Sequence, residues 1–264
     1  MLFNPVLFTK RQTILLELDH LFILSAIGAL LIGLSKGGLP TIGMLSVPIL
    51  SLAMSPVRAA VLLLPIYVIS DIFGVWLYRK NFHARNLKIL IPASLVGVFI
   101  GWLTASVTSD VAIKFAIGFI GIGFCLNMWI RTNSDTPPQE ASLKKGIFWG
   151  ALSGFTSFIS HAGGPPFQIY VLPQKLPKAQ FAGTATILFA IINFAKIVPY
   201  QNLRPYTYED LIAAAYLIPF SVIGAIAGAY LTKKIADVLF FRLIQIGLFI
   251  VSCKLVFDAT KTLL

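Results

Sequence analysis

The sequence predicts an all-α integral membrane protein made of two duplicated five-segment helical halves. Short broken or re-entrant helices open each half. Three observations predict this fold. Of the 264 residues, 57% are hydrophobic and 12% charged, and the mean hydropathy is +0.85. A soluble domain carries about 25% charged residues, so the solvent of this chain is mainly lipid. Ten apolar segments follow one another, at 21–36, 40–54, 58–78, 87–107, 111–130, 145–161, 165–173, 178–199, 210–231 and 237–257. Finally, motifs of the first half recur in order in the second.

A helix needs about 20 residues to cross a hydrocarbon core about 30 Å thick. Segments 58–78, 87–107, 111–130, 178–199, 210–231 and 237–257 reach that length, whereas 21–36, 40–54, 145–161 and 165–173 fall short. The last would extend only about 14 Å at 1.5 Å per residue. These four form two pairs, one at the start of each half. The one long polar connection, 131–144, reads "RTNSDTPPQEASLK" and has a Pro-Pro break at its centre. The expected organisation is a single membrane domain, 1–264, with repeat halves 21–130 and 145–257 joined by the loop 131–144. Glu17, Asp19 and His20 directly precede the first long apolar run. With no small-residue cleavage pattern there, no cleaved signal peptide is expected.

The repeat is clearest where "IPASLVGVFIGWLTASVTSD" (91–110) aligns without gaps to "IPFSVIGAIAGAYLTKKIAD" (218–237). Pro92, Ser94, Gly97, Gly101 and Asp110 fall on Pro219, Ser221, Gly224, Gly228 and Asp237. Glycines four apart lie on one helix face and admit close helix–helix approach in lipid. Lys114 and Cys125 match Arg242 and Cys253. With small gaps, "GGLP" (37–40) matches "GGPP" (163–166), Asp71 matches Asn193 and Tyr78 matches Tyr200. Such an ordered series marks a duplication.

Loop charges suggest that the halves are inverted. Residues 79–88, "RKNFHARNLK", hold four basic residues and no acid, which places this loop in the cytoplasm. The partner 201–210, "QNLRPYTYED", holds one basic and two acidic residues. If each short pair returns to the side it entered, basic residues of the internal loops divide 12 inside to 3 outside; if each crosses once, they divide 8 to 7. Adding Lys10, Arg11, Lys254 and Lys261 gives 12 to 7 for both arrangements, so the internal loops carry this preference. The net charge of +11 is therefore a topology signal, and no basic–aromatic patch of the kind that binds nucleic acid is present. Cys125 and Cys253 lie within apolar segments, with no CxxC or Cys/His cluster to suggest a metal or a disulfide framework. No cofactor is expected, and no nucleotide-binding motif occurs.

The candidate site lies at the breaks. In lipid, non-helical backbone is tolerated only inside protein or beside water. Gly37-Gly38 and Gly163-Gly164 interrupt apolar runs, and Pro40 and Pro165 stand where new helices would start. Two half-helices would begin there with free N–H groups and the positive end of the helix dipole, an arrangement that binds anions. Paired discontinuous helices point to a transporter's substrate site. Lys36 adds a cation that is expensive at membrane depth, against the alternative of a snorkelling lysine at a helix end. His161 is a candidate proton carrier or anion donor, against a satisfied structural histidine. Asp71, the sole acid in the interior of a long apolar segment, is a candidate for proton coupling or for a structural pair with a lysine across the bundle. Asn193 and Lys196 lie three residues apart on one helical face. Thr41 and Gln168 complete the expected substrate contacts, with Ser70, Tyr67 and Thr186 as further hydrogen-bonding groups.

The stretches "GLSKGGLPTIGMLSVPIL" and "SPVRAAVLLLPIYVISDIFGVWLYRKNF", followed by "GFTSFISHAGGPPFQIYVL" and "FAGTATILFAIINFAKIVPY", resemble the sulfite exporter TauE/SafE family of membrane transporters. The likeness runs from about residue 20 to 257. It implies an internally duplicated helical transporter of sulfite, organosulfonates or related small anions in the bacterial inner membrane, with Gly37, Gly38, Gly163 and Gly164 as the motif residues. The expected function is transport of a small sulfur-containing or carboxylate anion by alternating access, as one half rocks against the other, with proton coupling through Asp71 or His161. The alternatives are a passive anion channel and an intramembrane hydrolase using Ser160 or Ser153 with His161. Partners are the small anion and the lipid bilayer, with no nucleic acid; a homodimer is retained as the candidate assembly.

Overall fold

A computed structural model of the chain describes residues 5–40, 42–50, 56–104, 110–130, 137–203 and 205–263. Ten α-helices appear among them: α1 (Pro5–Lys36), α2 (Ser46–Leu50), α3 (Pro56–Tyr78), α4 (Ala84–Thr104), α5 (Asp110–Ile130), α6 (Leu143–Ser160), α7 (Gly164–Val171), α8 (Lys178–Leu203), α9 (Tyr208–Lys234) and α10 (Asp237–Leu263). Two 3₁₀ turns, Ile42–Leu45 and Leu172–Gln174, flank the short helices α2 and α7. No strand occurs among the described residues. The chain is an all-α, multi-pass membrane protein. Helices Ala84–Thr104, Lys178–Leu203, Tyr208–Lys234 and Asp237–Thr262 are each long and apolar enough to cross a bilayer, and His20–Lys36 and Leu62–Tyr78 are shorter apolar stretches.

Each apolar segment contributes a helix, but the ends differ. α1 starts at Pro5, well before the expected segment. In the segment 40–54 the described helix is only the 3₁₀ turn followed by the five-residue α2, and residues 51–55 lie outside the described residues. α7 has eight residues and spans about 12 Å, too short to cross a membrane. α9 opens with a capping box: the Thr207 hydroxyl accepts from the Asp210 N–H, and the Asp210 carboxylate accepts from the Thr207 N–H, both at 3.1 Å.

Between lipid-facing helices the hydrophobic effect gives little attraction, so close packing has to hold them. Glycines supply it in three helix pairs. Between α1 and α9, a Cβ on Gly33 would stand 1.9 Å from the Ser221 carbonyl oxygen, and one on Gly224 would stand 2.2 Å from that of Leu30. Between α4 and α6, a Cβ on Gly97 would lie 2.0 Å from the Ala151 oxygen, and one on Gly154 would lie 1.9 Å from that of Ser94. Between α5 and α10, a Cβ on Gly121 would meet Ser252 Oγ at 2.1 Å. At Gly33, Gly224, Gly97 and Gly154, which face backbone carbonyls, no side chain fits.

Two large apolar cores and a small cluster of Ala162, Val251 and Leu255 result among the described residues. One joins α1, α2, α3 and α9 through residues such as Ile32, Leu50, Leu63, Ile66 and Leu217. The larger joins α4 to α8 and α10 through Leu90, Phe158, Phe167, Phe181, Leu188 and Phe240, and takes in Leu39 and Leu64. Helices α3 and α8 meet along the seam between them, and the buried charged residues collect there.

Candidate functional site

The break after α1 is a helix cap. The Gly38 N–H donates to the Ser35 carbonyl and the Leu39 N–H to that of Leu34, each at 3.3 Å, the bond pair of a Schellman motif. Gly38 has φ +122°, a conformation that a side chain would strain. The Gly37 N–H donates to Gly33 O at 3.0 Å. The first glycine pair therefore spends its N–H groups on the end of α1, unlike the free donors expected there. The Gly37 carbonyl in turn accepts from the Tyr78 hydroxyl at 2.7 Å and from the Thr232 hydroxyl at 3.2 Å.

In the second half the left-handed residue at the cap of α6 is His161, φ 53°, whose N–H donates to Ser157 O. α7 begins at Gly164, as the proline expectation requires, with Gly163 as its N-cap and Pro165 and Pro166 in its first turn. Prolines suit a first turn sterically but carry no N–H. The start of α7 is thus poor in donors, and side chains have to supply most of the polar contacts of any ligand nearby.

The two glycine pairs do not occupy corresponding places. Tyr78 donates to Gly37 O and its repeat partner Tyr200 donates to Phe158 O, both at 2.7 Å. Ser221 backs onto Gly33 as its partner Ser94 backs onto Gly154. By these contacts Gly37 answers to Phe158, and Lys36 to Ser157. α6 continues past the point where α1 stops, and Gly163-Gly164 lies beyond that point, at the entry to α7.

The seam holds two linked polar groups. Lys36 Nζ lies 2.5 Å from Asp71 Oδ1, with both side chains 5% exposed. Asn193 Nδ2 donates to Asp71 Oδ2 at 2.8 Å, joining α8 to α3. Lys36 also stands 5.2 Å over the Tyr67 ring, a cation–π contact. Tyr67 donates to Gly43 O at 2.7 Å and shares a 2.8 Å hydrogen bond with Ser46. In the second group the fully buried Lys196 donates from Nζ to Ser157 O at 2.9 Å and lies 3.0 Å from His161 Nδ1. The His161 ring sits between those of Tyr67 and Tyr200, at 5.6 and 5.9 Å.

Between the two groups lies a cavity of about 50 Å³, with Lys36, Tyr67, His161, Gly164, Thr186 and Asn193 among its walls. At roughly 10–15 Å³ per water position, this holds about four waters or one small anion. The side chains around it set two basic groups, Lys36 and Lys196, against one acid, Asp71. Of the residues singled out in the sequence, Lys36, Pro40, Tyr67, His161, Gly164, Thr186 and Asn193 line this space. Asp71 and Lys196 stand one hydrogen bond behind it. Gly37, Gly38 and Gly163 shape the helix ends, and Gln168 is buried within α7. Thr41 lies outside the described residues. Ser153, a nucleophile candidate, donates its hydroxyl to Gly163 O at 2.7 Å and so ties α6 to the start of α7. Sequence reasoning missed Ser35, Met44, Ser157 and Phe189 in the wall. Nothing in their type or spacing sets them apart from other residues of apolar helices.

No curated protein and no solved structure matches the chain. The profile of a protein family described as Sulfite exporter TauE/SafE matches residues 24–255, which include both helix breaks, the two polar groups and the cavity. The chain therefore belongs to the sulfite exporter TauE/SafE family, whose members are membrane transporters and not enzymes.

Proposed function

We propose that this protein carries a small anion across the bacterial inner membrane by alternating access, the anion being sulfite, an organosulfonate or a related sulfur-containing or carboxylate compound. The observation that carries this reading is the cavity walled by Lys36 and His161, with the buried Lys196 one hydrogen bond behind it. A charged lysine is expensive at membrane depth, and an anion in the cavity would stabilise the charged form of the lysines beside it. In this reading Lys36, His161, Gly164 and Asn193 meet the substrate. Lys196 and Asp71 set the charge around it, and Asp71 or His161 carries a proton with it. Gly37, Gly38 and Gly163 hold the helix ends in place, and Thr41 and Gln168 remain candidate contacts.

The helix pairing supports a single membrane domain with duplicated halves 21–130 and 145–257. Exchanging α1 with α6, α3 with α8, α4 with α9 and α5 with α10 turns each major packing pair into another: α1·α9 becomes α6·α4, while α3·α8 and α5·α10 map onto themselves. This exchange fits a two-fold repeat, and the loop charges favour its inverted form. It also changes the picture of the moving parts. α1 is locked by glycine contacts to α9 of the other half, and α6 to α4. The rocking bodies would then be these exchanged bundles, not the halves of the sequence. The cavity lies between them, where the Asp71–Asn193 hydrogen bond would break and re-form.

Uptake of radiolabelled sulfite into proteoliposomes tests the function. The wild type should show saturable uptake, and Lys36→Met, recovered folded, should lose it. Equal uptake by the variant would remove Lys36 from the site.

A further inference from the structure

We infer that Thr186 is a substrate-binding residue, its hydroxyl hydrogen-bonding an oxygen of the anion held by Lys36; this rests on the transport reading above. Thr186 lies on α8, is 3% exposed and lines the cavity. Its hydroxyl has no hydrogen-bond partner among the described residues.

Ser252 and Tyr206 share this trait, but among the described helical threonines it is unusual. Thr104, Thr156, Thr184, Thr260 and Thr262 each donate to the carbonyl four residues back in their own helix, the usual resort of a helical threonine. Thr186 does not. Buried hydroxyls are nearly always bonded, and an orphan calls for an explanation. A ligand oxygen supplies one.

The position fits. Asn193, seven residues on, lies on the same face of α8 two turns away and lines the same cavity. Across from Thr186, on α3, is Gly74, where a Cβ would come within 2.7 Å of Thr186 Cγ2 and 3.2 Å of Lys36 Cβ. Glycine there leaves threonine and lysine side by side without a residue between them. A hydroxyl is both donor and acceptor, so it can meet a bare anion oxygen or a protonated one, whereas the ammonium of Lys36 can only donate. With the N-terminus of α7 short of N–H groups, the threonine takes the place of a backbone donor.

The test compares wild type, Thr186→Val and Thr186→Ser in detergent, measuring the thermal-stability shift with sulfite and with methanesulfonate. Valine has the shape of threonine without the hydroxyl. Thr186→Val should unfold, without ligand, at or above the wild-type temperature, because an unpaired buried hydroxyl has been removed. Its affinity for the anion should fall about 10- to 100-fold, the loss of one hydrogen bond to a charged group, and Thr186→Ser should restore most of it. If wild type and Thr186→Val bind equally well, or if Thr186→Val is destabilised without ligand while its affinity holds, the hydroxyl has a structural role and the inference fails. If the wild type binds neither anion, the transport reading and the inference fall together.

Discussion

The Lys36–Asp71 pair gives a prediction that can be worked out from distances. Both charges are buried, joined at 2.5 Å, and Asn193 holds the second carboxylate oxygen. Lys36→Met leaves the carboxylate buried with only that one described bond, and an orphaned buried charge costs about 3–5 kcal/mol. Asp71→Asn leaves the ammonium over the Tyr67 ring, which returns up to about 2 kcal/mol. The double variant Lys36→Met, Asp71→Asn buries no charge at this position, and replacing a buried pair with neutral groups is often nearly neutral. The double variant should therefore be more stable than Lys36→Met alone. The assay is denaturant unfolding in mixed micelles, read as a double-mutant cycle. Transport should stay absent in the double variant, because the cation that meets the anion is gone. A double variant as unstable as the sum of its parents would refute the pairing, and one that transports normally would refute the role of Lys36.

Three further predictions concern packing and the second polar group. Gly154→Ala should prevent assembly of the fold, because its Cβ would lie 1.9 Å from the Ser94 carbonyl oxygen; Gly123→Ala meets nothing within 4 Å and should be neutral or add up to about 1 kcal/mol from helix propensity, with folded yield in detergent as the measure. Tyr200→Phe removes the donor to Phe158 O and Tyr78→Phe one of two donors to Gly37 O, so Tyr200→Phe should be the more destabilising, by about 1 kcal/mol. Cysteines introduced at facing positions of α1 and α9 should cross-link without loss of transport, whereas a cross-link between α3 and α8 beside Asp71 and Asn193 should stop it; the reverse result would return the motion to the halves of the sequence.

Much of the fold was legible because lipid imposes simple rules. The apolar run 178–199 had to become a helix of spanning length, and α8 covers it. Gly97, Gly101, Gly224 and Gly228 were legible as close-contact residues from their spacing, and each meets a neighbouring helix tightly. The partners were not legible: nothing in Gly224 says that its neighbour is α1 of the other half, because partner choice depends on the three-dimensional path of the chain.

At the site, Lys36, Asp71 and His161 stood out because ionisable groups are rare in apolar helices. The Lys36–Asp71 pair was among the readings of Asp71, and the geometry supplies the lysine. The glycine pairs stood out too, but the sequence match placed them in register when their contacts do not. Aligned letters cannot show that Gly38 closes a helix cap while Gly163 opens a helix. Thr186 drew little notice in the sequence because threonine is common in membrane helices; only the contrast with the other helical threonines sets it apart.

The measurement closest to the central claim is counterflow in proteoliposomes. Vesicles loaded with unlabelled sulfite and diluted into trace labelled sulfite should accumulate label transiently above equilibrium, because a carrier must return its site through one cavity. That overshoot should vanish in Lys36→Met. Label that enters without overshoot, at a rate unaffected by internal sulfite, would show an open pore and contradict alternating access.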